Sequence, residues 1–224
     1  MRAGVVSVWL GLADGLRTER RERVAPRVHV VARAEGWNPE KYAREQIRSL
    51  VRQVFGAGER SVRQIVISAV ERETDVSELC QRVADALVAE TGKEVAVVVS
   101  GEGGGELLED RKLGLRQSGR MVAEGVWMLP LPVKGGTLLH QYLSEVRREF
   151  EYSIVASGPA GESGEAAAMA QFADGIILVV SAQRTRRAVA LRIRQSLDAA
   201  HVRLLGTVLS EREFPVPEGI YRRL

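Results

Sequence analysis

Apolar residues along this chain fall into two alternating kinds of run. Short unbroken β-branched stretches, such as Gln64-Ile65-Val66-Ile67-Ser68, Val95-Ala96-Val97-Val98-Val99 and Tyr152-Ser153-Ile154-Val155-Ala156-Ser157, read as strands buried on both faces. Between them, apolar residues three and four apart predict amphipathic helices, as in Leu138, Leu139, Tyr142, Leu143 and Val146. The pattern predicts helices over 39–55, 75–90, 137–150, 165–172 and 186–200, and strands over 64–69, 94–99, 126–129, 152–157, 175–181 and 203–210. Asn38 and Pro39 supply an N-cap and a first-turn proline, and Gly56 and Gly58 end that helix. A short alternating run, Arg27 to Ala32, precedes it. Helices alternating with buried strands imply an α/β three-layer sandwich with a mostly parallel central sheet of about five to seven strands.

Two stretches break the alternation. Residues 100–120, SGEGGGELLEDRKLGLRQSGR, are rich in glycine and charge and read as a long surface loop with room for a short helix. At the start, Val5, Val8, Trp9, Leu12 and Leu16 share one face if helical, ahead of the basic run Arg17 to Arg23. Residues 1–25 are therefore an N-terminal segment, either amphipathic and suited to an anionic membrane surface or a partner helix, or a frayed or locally packed terminus, and 26–224 form one α/β domain. The apolar stretch is too short to span a bilayer.

Charge and composition narrow the chemistry. The 32 basic residues nearly balance 29 acidic ones, leaving +3, and the basic side chains show no face interleaved with aromatics, so nucleic acid is not expected as a partner. A single cysteine, Cys80, flanked by Leu79 and Val83, reads as a buried thiol, and His29, His140 and His201 are dispersed, so no metal site is expected. No G-x-S-x-G elbow accompanies Ser157 or Ser163. Arg184, Arg186, Arg187, Arg192 and Arg194 crowd the start of one helix, where their charge opposes the helix dipole; a solvated face and an acidic partner surface both suit them.

Several segments carry a resemblance. EQIRSLVRQVF reads like an E-x-x-R-x-L-R helix in which Glu45, Arg48 and Leu50 match and Val51 replaces the second arginine. FEYSIVASGPAGES reads like F-D-Y-V-I-I-D-T-P-P, through Phe150, Tyr152 and Pro159. The run from Ala173-Asp174-Gly175 through Thr185-Arg186-Arg187 to Gly206-Thr207-Val208-Leu209 follows in the same order, and FPVPEGIYRRL closes the chain. From about residue 38 onward the chain resembles the cytoplasmic tyrosine autokinases of bacterial capsule and exopolysaccharide synthesis, relatives of the deviant Walker A ATPases of cell division and partition. The resemblance implies a P-loop-NTPase-like fold and a helix, through Glu45, Arg48 and Leu50, that contacts a neighbouring subunit; the residues by themselves read equally as a covering helix packed through Ile47, Leu50, Val51 and Val54.

The positions that carry catalysis in that family depart together. Where its G-x-G-K-T-T turn stands, this chain has Arg72, Glu73, Thr74, Asp75, Val76 and Ser77, with aspartate in the lysine's place. Glycines would let backbone N–H groups approach phosphates; here side chains intervene and Glu71, Glu73 and Asp75 repel a triphosphate. The D-x-D carboxylates are absent from 99–101, the magnesium-positioning aspartate is Ala156, and the adenine-reading asparagine is Ser210. Tyr221 stands alone where the family has a tyrosine-rich tail.

Phosphoryl transfer rests on metal, lysine and positioned backbone, so these losses imply a non-catalytic relative in which ATP and magnesium binding is lost and no cofactor is held. Its expected role is a regulatory or scaffolding partner of an active autokinase or of the membrane chain-length regulator. Self-association is a further expectation, and the expected place is the cytoplasm, at the inner face of the membrane. The alternative is a nucleotide-binding ATPase or tyrosine kinase with a divergent phosphate site built from Thr74, Ser77 and Lys134. Lys134, Gly135, Gly136 and Thr137 could offer an anion amides, a lysine and a hydroxyl, although they also suit a helix N-cap at Thr137 preceded by glycines. Gly101 to Gly105 are bracketed by acids and read as a flexible loop.

Overall fold

The computed structural model describes residues 7–9, 39–56, 61–99, 114–131, 136–162 and 164–211. Its strands are β1 (Ser7–Trp9), β2 (Gln64–Ala69), β3 (Val95–Val99), β4 (Arg120–Ala123), β5 (Val126–Pro130), β6 (Tyr152–Ser157), β7 (Gly175–Ser181) and β8 (Leu204–Ser210). Its helices are α1 (Pro39–Phe55), α2 (Ser77–Thr91), α3 (Leu115–Ser118), α4 (Gly136–Glu149), α5 (Glu165–Ala170) and α6 (Arg187–Ala199). All eight strands form one sheet in the order β1-β8-β7-β2-β6-β3-β5-β4. The six inner strands are parallel, and only the edge pairs β1·β8 and β4·β5 are antiparallel.

The unbroken apolar runs become the central strands because helices cover both faces. All six residues of β2 are buried. With a side-chain period of two, Ile65 and Ile67 face one layer and Val66 the other. On the first face α1 and α2 pack through Leu50, Val51, Cys80, Val83 and Leu87. On the second, α4, α5 and α6 pack through Leu143, Val146, Met169, Ile193 and Leu197. The register sets Val66 beside Val155 of β6 and Ile176 of β7. This is a three-layer α/β sandwich with a mostly parallel central sheet, as expected from the sequence.

Three expectations change. Among the described residues the sheet has eight strands, where about five to seven were expected. Val8 and Trp9, on one face in the helical reading, lie instead in the strand Ser7-Val8-Trp9, which pairs antiparallel with Leu209, Val208 and Thr207, so this part of the N-terminal segment packs onto the sheet of the domain. Sheet pairing offers this backbone hydrogen bonds that a short isolated helix would hold only marginally. Inside the 100–120 stretch α3 is the short helix allowed for, and at its end β4 is new: Arg120, Met121, Val122 and Ala123 form a four-residue edge strand with largely exposed side chains. The run 27–32 lies outside the described residues.

Opposite the crevice described below, Gly175 opens β7. A Cβ there would stand 2.5 Å from the Arg203 carbonyl oxygen and 2.7 Å from Leu205 Cγ. The obstacle is backbone, which cannot swing aside. Gly175→Ala is expected to cost about 1–3 kcal/mol through forced separation of β7 and β8, read as a lower urea midpoint; an unchanged midpoint would show that the strands part freely.

Candidate functional site

In an open parallel sheet, ligand crevices form beyond the carboxyl ends of the strands where connections diverge to opposite sides. Here β2 lies between β7 and β6, and its following helix carries the chain across to β3. The connection is the turn Val70-Glu71-Arg72-Glu73-Thr74-Asp75-Val76.

Apolar anchors hold this turn at both ends. Val70 and Val76 are buried, and the Val70 N–H donates to the Val179 carbonyl at 2.9 Å. Between them the Thr74 N–H donates to the Glu71 carbonyl at 3.4 Å. Asp75 then turns back: its Oδ1 accepts the Ser77 N–H at 2.8 Å, an Asx turn. A helix N-terminus concentrates orphan amides and the positive end of the dipole, which favours an anion. Here a side-chain carboxylate from the chain itself takes the first amide of α2.

The neighbouring loop closes over the turn. The Ala160 N–H donates to the Ala69 carbonyl at 2.8 Å, and a Cβ on Gly161 would stand 3.3 Å from the Val70 carbonyl oxygen. Arg72 Nε lies 3.7 Å from Glu162 Oε2, an exposed ion pair bridging turn and loop. Ser68 Oγ and Ser157 Oγ both donate to the Gly158 carbonyl, at 2.6 and 3.2 Å. Those two hydroxyls, at the ends of β2 and β6, are spent on one backbone oxygen. Thr74 Oγ1 is buried and has no partner among the described residues.

Beyond β7 a second cluster forms that sequence reasoning did not find. Ser181 Oγ donates to Glu211 Oε2 at 2.7 Å, and Arg184 Nη2 lies 3.4 Å from Glu211 Oε1. The Ser181 N–H donates to Thr185 Oγ1 at 3.0 Å, folding the chain back before α6. Glu211 has φ +56, the left-handed region, which aims its carboxylate across the strand ends. Thirty residues separate Ser181 from Glu211, and no spacing motif marks them.

The expected site residues are placed as follows. Arg72 to Ser77 and Ala156 meet at the carboxyl end of the sheet: Ala156 sits beside Ile67 of β2 and is buried, presenting a methyl group in the layer beneath α2. Ser210 Oγ donates to the Val180 carbonyl at 3.4 Å. Val99 ends β3; positions 100 and 101 lie outside the described residues, as do Lys134, Gly135, Ser163 and Tyr221. Gly136 and Thr137 are the first two residues of α4, so the helix starts one residue before the expected N-cap.

Burial pushes the Cys80 thiol up, and the Asp75 charge adds to this, so Cys80 stays a protonated member of the core. No group of three or more metal-ligating residues occurs among the described residues.

The expected interface helix divides. Glu45 and Arg48 are exposed on α1, whereas Leu50 is fully buried against the sheet and cannot touch a partner. The reason is helical phase, because Leu50 follows Ala43 and Ile47 on the inward stripe. Arg48 lines a groove of about 430 Å³ between α1 and α2, with Arg44, Ile47, Arg82, Asp85 and Ala86.

Removing the Asp75 carboxylate strips α2 of its N-terminal acceptor. Asp75→Ala is expected to lower stability by about 1 kcal/mol while Asp75→Asn retains most of it, as measured by urea unfolding. Equal loss in both variants would mean that the side chain's oxygen does not hold the helix end.

No protein-family profile matches the chain, and no curated protein does. Solved structures do share its fold. The chimeric protein CapA2B2 superposes with a TM-score of 0.61 at 18% identity, covering 74% of this chain and 83% of that one. The kinase domain of the Escherichia coli tyrosine kinase ETK gives 0.61 at 16% identity, covering 79% of each chain. The MinD cell division protein of Aquifex aeolicus gives 0.53 at 18% identity, covering 72% of each. At these identities the likeness is one of fold, shared with bacterial tyrosine kinase domains and with MinD.

Proposed function

We propose that this chain is a catalytically inactive counterpart of the capsule and exopolysaccharide tyrosine kinases, acting by protein contact as a regulatory or scaffolding partner. The observation that carries the reading is the turn at 70–76. A phosphate-binding turn needs open backbone amides, a lysine and a route for magnesium. In this turn the Asp75 carboxylate takes the amide of Ser77, Glu71 and Glu73 add negative charge, and the loop at 158–162 closes over its start. The Mg²⁺-nucleotide does not fit this donor set: β6 offers the methyl of Ala156 and a Ser157 hydroxyl already bonded to Gly158. No chemical step is assigned to the site.

Contact is the remaining use of such a fold. Partners on this reading are an active autokinase, the membrane chain-length regulator, or further copies of the chain, at the cytoplasmic side of the membrane. Among the described residues no helix is long and apolar enough to cross a membrane. Glu45 and Arg48, exposed on α1, are the residues proposed to meet a neighbouring subunit.

Two experiments test the reading. Incubation with magnesium and radiolabelled ATP is expected to leave no phosphotyrosine on the chain or on a tyrosine-containing copolymer; label that disappears in Lys134→Ala would restore the divergent-kinase reading. The mass in solution, measured by light scattering, is expected to fall toward the monomer in the double variant Glu45→Ala with Arg48→Ala. A monomeric wild type, or an assembly untouched by the variant, would remove α1 as an interface.

A further inference from the structure

The outer face of α6 carries more arginines than the carboxylates paired with them among the described residues. The helix leaves the carboxyl end of β7 with Arg186 at its N-cap, extended and without a side-chain cap bond, and with no acid in its first turn. Arg184, Arg186 and Arg187 therefore stand at the positive end of the helix dipole, where cations are disfavoured. Arg184 lies 3.4 Å from Glu211, and Arg194 lies 3.8 Å from Asp198. Arg186, Arg187 and Arg192 are exposed and meet no carboxylate among the described residues.

An apolar side chain sits among these charges. Leu191, four residues after Arg187 and so beside it on the helix surface, is 42% exposed. Ile193 and Leu197 of the same helix are buried, which fixes the face bearing Arg187, Leu191 and Arg192 outward.

We propose that this face, through Arg186, Arg187, Leu191 and Arg192, docks an acidic segment of a partner protein that brings an apolar side chain between its carboxylates. A guanidinium presents paired N–H donors that match a carboxylate, and a carboxylate at this helix end also relieves the clash with the dipole. Leu191 supplies the apolar centre of a contact whose rim is charged. Single-stranded nucleic acid would require stacking platforms and an unbroken basic track, but the helix bears no aromatic residue, and Glu211 and Asp198 interrupt the charge. A membrane surface would require an apolar stripe, and one exposed leucine does not make one.

The test uses the full chain and a fluorescein-labelled peptide of alternating glutamate and aspartate around a central leucine, followed by anisotropy at low and high salt. Binding is expected at low salt and is expected to fade at high salt. Arg186→Glu with Arg187→Glu is expected to weaken it about tenfold or more. Leu191→Ser is expected to weaken it about threefold. Arg148→Glu with Lys93→Glu, both exposed and away from this face, serves as the charge-matched control and is expected to leave it unchanged. The double variant places acids at the helix N-terminus, so its melting temperature is expected to hold or rise, which separates lost binding from lost folding. Single-stranded DNA and vesicles containing phosphatidylglycerol run in parallel. The proposal is overturned if the peptide does not bind, if it binds the double variant as well as the wild type, or if DNA or vesicles bind this face more tightly than the peptide.

Discussion

Phe150→Ala is expected to lower the stability of the domain by about 4 kcal/mol. Phe150 follows the end of α4 and is buried, with its ring centroid 6.2 Å from that of Trp127 on β5. The Arg116 guanidinium of α3 lies over both rings, 4.9 Å from Trp127 and 5.0 Å from Phe150. Glu94 and Glu149 hold that guanidinium in turn, at 2.6 and 3.0 Å, and the Trp127 Nε1–H donates to Glu94 at 3.1 Å. Removing the ring would empty a core position and leave the cation one aromatic partner. Against a typical total of about 5–15 kcal/mol, that loss would shift the urea midpoint far down. A shift worth under about 0.5 kcal/mol would mean that this corner contributes little.

Asp174→Ala is expected to cost about 3 kcal/mol. Asp174 precedes β7 at the end of the sheet away from the crevice, where Oδ2 accepts the Arg63 and Gln64 N–H groups at 2.7 and 2.9 Å, and Oδ1 accepts from Arg147 at 2.9 Å. One carboxylate thus ties β2, β7 and α4 together, and its loss leaves two backbone donors without that acceptor. Burial alone would push the Asp174 carboxyl up; the amides of Arg63 and Gln64 with the Arg147 charge outweigh it and hold the carboxyl below the usual carboxylate range. A depressed folded-state pKa stabilises above the unfolded value of about 3.9, and the contribution is lost as pH falls through the folded value. Unfolding free energy measured through this acid range should therefore fall more steeply in the wild type than in Asp174→Asn. Parallel curves would contradict the role assigned to this carboxylate.

How much of this was legible in the sequence depended on how the residues are buried. Strands such as β2 and β7 are covered on both faces, so their apolar runs announced them and their bounds agree with the pattern. β1 misled because Val5, Val8 and Trp9 also satisfy helical spacing, and only its ladder with β8 decides between them. β4 pairs at an edge with largely exposed side chains, so no periodicity betrays it. At the crevice the sequence located the turn at 70–76, since the apolar runs on either side of it mark its ends. It did not reveal that Asp75 accepts the Ser77 amide, that Ser68 and Ser157 share the Gly158 carbonyl, or that Glu211 reaches Ser181. Each of those depends on backbone direction or on strand ends brought together by the sheet order. Leu50 shows the converse: a match to an interface motif fell on a core position because the helical phase turned it inward.

Calorimetric titration of the full chain with magnesium ATP and magnesium ADP tests the central claim most directly. The account predicts no heat of binding up to millimolar nucleotide, because carboxylates occupy and surround the turn where phosphates would lie. Saturable micromolar binding would contradict it, and its loss in Lys134→Ala would move the site to residues 134–137.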